Sequence, residues 1–202
     1  MKINDNIYML KIPSKLSPDK FTYPVVIINK DKMLLIDSAY PGELESIKNA
    51  FSDEDLDINN LSHILLTHKG FDNLGCSRDI LKAYPNVKVM ANCDDSKLSI
   101  DIKLNNKDIA PDFQNIKILT TPGHTPDHIS LYLKDEELLV AGNLFNIEIN
   151  LLMLLDECLN ADNKAYINSI RKISQLPINK IISYHGGMLE GTITQGIKSL
   201  IS

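Results

Sequence analysis

Four loops in this 202-residue chain each follow a short apolar run, and each carries histidine, aspartate or asparagine. His68 and Asp72 come after the run at 63–67, and His124 and His128 after the run at 116–120. Gly142-Asn143 closes the run at 138–141, and His185-Gly186-Gly187 follows the run at 181–184. Runs of this length and composition read as buried strands. A chain that sets its polar chemistry just beyond several strands is constrained to sheets whose strand ends bring those loops to one place.

The rest of the chain fits that constraint. Strands are expected at 7–12, 24–29 and 33–37, with Lys30-Asp31-Lys32 as a hairpin turn between the last two. Leu44, Ile47 and Phe51 stand at helical spacing and predict a helix over 43–51. Further helices are expected over 74–84, ended by Pro85, over 163–176 through Ile167, Ile170 and Ile173, and over 192–201. Strands are expected at 87–91 and 129–133 as well. Strand-rich halves that each end in helices predict two sheets packed face to face with helices outside. There is no internal repeat, low-complexity tract or Gly/Ser linker, so one domain spanning 1–202 is expected.

Composition removes several classes of function. A net charge of -5, with 21 Lys and Arg scattered along the chain, gives no basic footprint for nucleic acid or an anionic membrane. No run approaches the ~20 apolar residues of a membrane span. Residues 1–10 are too polar for a signal peptide. Cys76, Cys93 and Cys158 form no Cys-x-x-Cys pair and are odd in number, so free thiols in a reducing cytoplasm are expected. No Gly-x-x-x-x-Gly-Lys phosphate loop is present.

Histidine and aspartate at strand ends suit a hydrolytic metal centre. Zinc in such a centre takes about three protein ligands and leaves a position for water. The ion acidifies that water to a pKa near ~7. Paired imidazoles on a tight loop can share one metal, and an aspartate two residues on can reach a second metal or orient the hydroxide.

The motifs are specific enough to name a resemblance. Leu65-Leu66-Thr67-His68-Lys69-Gly70-Phe71-Asp72-Asn73-Leu74-Gly75 has the outline of T-H-x-H-x-D-H-x-G. Leu34-Leu35-Ile36-Asp37-Ser38 matches L-I-D-T/S, Thr121-Pro122-Gly123-His124-Thr125-Pro126 matches T-P-G-H-T-P, and His185-Gly186 matches a terminal G-H-G with Tyr184 in place of its first glycine. Over nearly its full length the chain resembles the metallo-β-lactamase superfamily, close to its glyoxalase-II-like branch. The resemblance implies an α+β fold, the four-layer αββα sandwich of that superfamily. It also implies metal ligands at His68, Asp72, His124 and His185, with Asp72 as the catalytic residue that orients water.

Three ligand positions depart from the pattern. Gly70 and Asn73 stand where histidines are expected, and Asn143 where the family places a metal-bridging aspartate. A neutral amide is a poor replacement for imidazole or carboxylate. One metal position would keep His68 and His124, the other Asp72 and His185. The expected function is a degenerate dinuclear centre on a metal-free or weakly metal-binding frame, a pseudoenzyme or small-molecule binder. The alternative is an ester or thioester hydrolase with one Zn, Fe or Mn ion held by three of the four ligands. Lys69, Asn73, Asn143 and His128 are the expected contacts to the small molecule.

Plainer roles stand beside these. Asp72 or Asn73 could cap a helix starting near Leu74, a contribution of ~1 kcal/mol. His128 and His63 fit hydrogen-bonded positions at strand starts, and Cys76 fits a structural thiol. Tyr184 would set a bulky phenol near the pocket. The apolar stretch 147–155 reads as a buried segment, a homodimer contact or an apolar lid.

Overall fold

The computed structural model describes residues 1–14, 17–96 and 98–202. The chain divides into two compact units, Met1–Leu104 and Asn105–Ser202.

The first unit is built on a seven-stranded sheet. Its strands are β1 (Lys2–Asn4), β2 (Ile7–Met9), β5 (Val25–Asn29), β6 (Lys32–Ile36), β7 (Leu61–Leu66), β8 (Lys88–Ala91) and β9 (Ile102–Lys103), in that spatial order. β3 (Ile12–Ser14) and β4 (Ser17–Thr22) form a separate antiparallel pair. Pairing is antiparallel from β1 to β6 and parallel from β6 to β9. Asn29 pairs with Lys32, so the turn is the two residues Lys30-Asp31, with Lys30 in the left-handed region at φ 57°. The parallel strands read as continuous Leu/Ile/Val runs because both of their faces are buried. Leu35, Ile64, Leu66 and Val89 of one face pack with Ile47 and Phe51 of α1 (Leu44–Ser52) and Ile80 of α2 (Ser77–Ala83). Leu34, Leu65 and Met90 of the other face are equally inaccessible.

The second unit holds a five-stranded sheet in the order β10 (Ile116–Thr120), β11 (Ile129–Leu133), β12 (Leu138–Val140), β15 (Lys180–Ser183), β16 (Gly187–Glu190). β12 and β15 are parallel, and every other pair is antiparallel. β10, β12 and β15 therefore run the same way, and their three following loops emerge at one end of the sheet. Helices α3 (Asn163–Ile173) and α4 (Ile193–Leu200) cover one face through Tyr166, Ile170, Ile173, Ile193 and Ile197.

Between β12 and α3 lies a feature the sequence pattern did not resolve, a hairpin of β13 (Asn146–Glu148) and β14 (Leu151–Met153). Its turn residues Ile149 and Asn150 are both left-handed, at φ 50° and 59°, as a two-residue hairpin of native twist requires. Ile147 is buried, whereas Ile149 is 95% exposed and Leu151 65%. The stretch 147–155 is thus not a buried segment throughout. The closing helices of both units begin or end within a few residues of the sequence expectation. α2 starts at Ser77, three residues after the expected Leu74, with Cys76 at its N-cap and no side-chain cap. Neither Asp72 nor Asn73 caps it.

Candidate functional site

In the first unit, Asp37 and His68 follow neighbouring parallel strands, so their loops start side by side. Asp37 sits at φ 60°, and its backbone N–H donates to Leu65 O at 2.9 Å. That turn aims the Asp37 carboxylate at the next strand's end, where it collects donors. Thr67 N–H reaches Oδ1 at 2.9 Å, Thr67 Oγ1–H reaches Oδ2 at 2.8 Å, and Asn73 Nδ2 reaches Oδ2 at 2.9 Å. Burial pushes the Asp37 carboxyl up to about 6, and the negative charge of Asp72 adds to the rise. The three hydrogen bonds act the other way, by favouring the ionised form.

His68 is buried, with Nδ1 3.1 Å from Thr67 Oγ1. Asp72 is half-buried and Lys69 exposed. Between His68 and Asn73 the chain folds in a tight turn, in which Asn73 and Leu74 N–H both donate to Gly70 O. Gly75 touches the Ala39 segment closely, and Cys76 N–H donates to Ala39 O at 3.1 Å. This turn delays the helix to Ser77 and points the Asn73 side chain inward rather than along a helix axis. Asn73 is fully buried; its Nδ2 is spent on Asp37, and its Oδ1 has no hydrogen-bond partner among the described residues.

In the second unit the loops after β10, β12 and β15 carry His124, Asn143 and His185. Gly123, at φ 146°, lets the first loop touch the start of α3, where a Cβ would lie 2.3 Å from Tyr166 Cα. Asp162 N–H donates to Gly123 O and Ala161 N–H to His124 O, which fixes the loop. The His124 ring is half-buried, and its Nδ1 lies 2.8 Å from Leu159 O. A carbonyl only accepts, so Nδ1 carries the proton.

His128 lies wholly inside. Its Nε2 accepts from the Asn143 backbone N–H at 3.1 Å, so its Nδ1–H faces Thr121 Oγ1 at 2.8 Å. Thr121 in turn meets Ser130 Oγ, which donates to Ala141 O. His128 thereby ties the loop after β12 to the loop after β10. The rings of His124 and His128 are 6.2 Å apart, edge to face. Asn143 is nearly buried, and its Oδ1 has no hydrogen-bond partner among the described residues. His185 is half-buried against the ring of Tyr184 at 5.1 Å. The Tyr184 side chain is itself buried, and Gly186 lies against Ile147 of the hairpin.

Two residues that position these loops were not singled out from the sequence. Asp37 was legible only as part of a Leu-Ile-Asp match. Tyr166 hydroxyl donates to Leu144 O at 2.9 Å and accepts from Leu155 N–H at 2.8 Å, clamping both ends of the hairpin segment. Burial pushes that phenol up to about 12, so it stays a donor.

The side chains present do not fit a dinuclear metal centre. Position 70 offers no donor, Asn73 directs its amide to Asp37, and Asn143 supplies an uncharged oxygen. Among the described residues no three His, Cys, Asp or Glu side chains gather as a metal-holding group.

Comparison with known proteins follows the same outline. The model of the Metallo-beta-lactamase superfamily matches residues 18–185. A Beta-lactamase-like protein 2 homolog of Caenorhabditis elegans is 26% identical over 168 residues, 80% of this chain and 55% of that protein. A hydroxyacylglutathione hydrolase of Francisella philomiragia is 29% identical over 147 residues, 71% of this chain and 57% of the relative. The chain thus spans a little over half the length of these relatives. A metallo-beta-lactamase family protein of Thermus thermophilus superposes with a TM-score of 0.79 at 16% identity, covering 99% of this chain and 79% of that one. At that identity the likeness speaks for the fold.

Proposed function

For a chain that belongs to the metallo-beta-lactamase superfamily, and so to a frame shared with hydrolases, we propose a metal-independent role: binding a small acyl compound without turning it over. The observation that carries this reading is the hydrogen bond from Asn73 Nδ2 to Asp37. It commits a ligand-position side chain to the protein interior, and Gly70 leaves its neighbour position empty of donors. Both units belong to one family domain in this reading, since the family match runs across them.

The loop residues would bind rather than react. Asn143 and Lys69 offer hydrogen-bond donors to a carbonyl or carboxylate. His128 holds the Asn143 backbone in place. Asp72 carries negative charge near Asp37 and Tyr40, and it would accept a hydroxyl or ammonium hydrogen. The hydroxyacylglutathione hydrolase relative acts, by its name, on hydroxyacylglutathione, and we extend an acyl ligand of that kind to this chain. We place the protein in the cytoplasm, where the reduced state expected of three cysteines with no Cys-x-x-Cys pair is maintained.

A second reading has one observation in its favour. The contact of His124 Nδ1 with Leu159 O is the arrangement that orients a metal-binding imidazole. That reading is a reduced hydrolase with one Zn, Fe or Mn ion held by three of His68, Asp72, His124 and His185. Calorimetric titration with a hydroxyacyl-glutathione thioester, with and without chelator, separates the two. Binding without turnover, unchanged by chelator, is expected. Chelator-sensitive hydrolysis would establish the second reading instead.

A further inference from the structure

We infer that Gly70 and Asn73 are a coupled pair, the inward-turned amide of Asn73 occupying the space that any side chain at position 70 needs. An ideal Cβ at Gly70 falls 2.4 Å from Asn73 Oδ1, 2.6 Å from His68 Nε2 and 3.1 Å from His68 Cε1. Contacts under 3.0 Å are essentially never made by real Cβ atoms, so something has to move. The backbone gives no other reason for glycine, because Gly70 is not among the residues at positive φ. Space, not conformation, excludes a side chain there.

Both obstacles are ends of side chains, which often swing aside cheaply. Here each is held from behind by the same carboxylate. Asn73 Nδ2 is bonded to Asp37 Oδ2 at 2.9 Å. His68 Nδ1 sits 3.1 Å from Thr67 Oγ1, whose hydroxyl donates to Asp37 Oδ2 at 2.8 Å. Both sets of contacts are buried. Asn73 Oδ1 has no hydrogen-bond partner among the described residues, so the orientation of the amide is set by the bond of its Nδ2 to Asp37. Asp37 is therefore the anchor, Asn73 the wedge and Gly70 the consequence.

Two of the three departures from the ligand pattern are then one event. A donor cannot be restored at position 70 while residue 73 is asparagine turned onto Asp37. Loss of the residue-73 imidazole and loss of any residue-70 side chain have to be reversed together. This inference stands independently of the ligand the protein takes, since it concerns packing within one loop.

A double-mutant cycle in thermal unfolding tests it, using Gly70→Ala, Asn73→Ala and the pair, with Gly196→Ala as a control whose added Cβ meets nothing within 4 Å. Gly70→Ala is expected to lower Tm by about 5 °C in the natural background. In the Asn73→Ala background the same change should cost measurably less, because the nearest obstruction is gone and only the His68 ring remains. Equal losses in both backgrounds, or none in either, would overturn the coupling. Should Gly70→Ala give no soluble protein, recovery of soluble, cooperatively unfolding protein in the double variant supports the inference, and failure of the double variant counts against it.

Discussion

Asn73 donates its side-chain amide to Asp37 across 2.9 Å, with both residues buried. A side chain that the motif resemblance would expect at a metal faces the protein interior. Asp37 is buried and its Oδ2 accepts from both Thr67 Oγ1 and Asn73 Nδ2, so loss of the amide leaves that oxygen with one donor instead of two. Asn73→Ala is expected to cost about 1–3 kcal/mol in urea unfolding. An unchanged midpoint would show that the amide does not support Asp37.

The Asp37 carboxyl also sets a pH dependence. Burial raises it from 3.8 to about 6, so between those values the folded state holds a proton that the unfolded state has lost. Its contribution to stability is fully present below about pH 4 and is lost as pH rises through about 6. Asp37→Asn removes that loss. The difference in unfolding free energy between the variant and the natural chain should shift in the variant's favour from pH 4 to pH 7, by an amount on the order of 3 kcal/mol at most. A difference that stays flat over this range would contradict the assignment.

Glycines at close approaches should behave unlike glycines in open space. Gly123→Ala sets a Cβ 2.3 Å from Tyr166 Cα and 2.4 Å from Tyr166 N, backbone atoms that cannot swing aside. A loss of about 2 kcal/mol or more is expected, together with altered surroundings of His124 in NMR spectra. Gly196→Ala, inside α4 with nothing nearby, should gain about 0.5–1 kcal/mol. Similar effects at both sites would mean that the contact between the His124 loop and α3 is not tight.

Much of the fold was legible because its strands are apolar runs ended by unmistakable loops. The strands at 116–120 and 129–133 appear with those bounds. The hairpin at 146–153 was not legible, since its second strand lies in an unbroken Leu/Met run, and its turn places Ile149 where Gly or Asn is usual. The helix expected from Leu74 begins at Ser77 because the Gly70–Gly75 turn packs on Ala39, a contact distant in sequence. Among candidate site residues, His68, Asp72, His124 and His185 were named from the motifs of their loops. The direction of Asn73 could not, because it is decided by Asp37, 36 residues away in the chain. Nor could the burial of His128, whose partners Thr121 and Asn143 come from two loops.

Restoring donors in steps should follow the coupling. Gly70→His alone is expected to destabilise the chain and take up no zinc. Gly70→His with Asn73→His and Asn143→Asp should raise zinc uptake, read by equilibrium dialysis, and raise Tm when zinc is added. Zinc binding by Gly70→His alone, at undiminished Tm, would show that position 70 was never blocked.

The most direct test of a metal-independent role is the metal content of the natural chain. Protein purified without affinity tag or chelator would be analysed by inductively coupled plasma mass spectrometry, before and after incubation with Zn, Fe and Mn followed by desalting. Well under one ion per chain is predicted in every case. One or more tightly retained ions per chain would contradict the account and return His68, Asp72, His124 and His185 to the role of ligands.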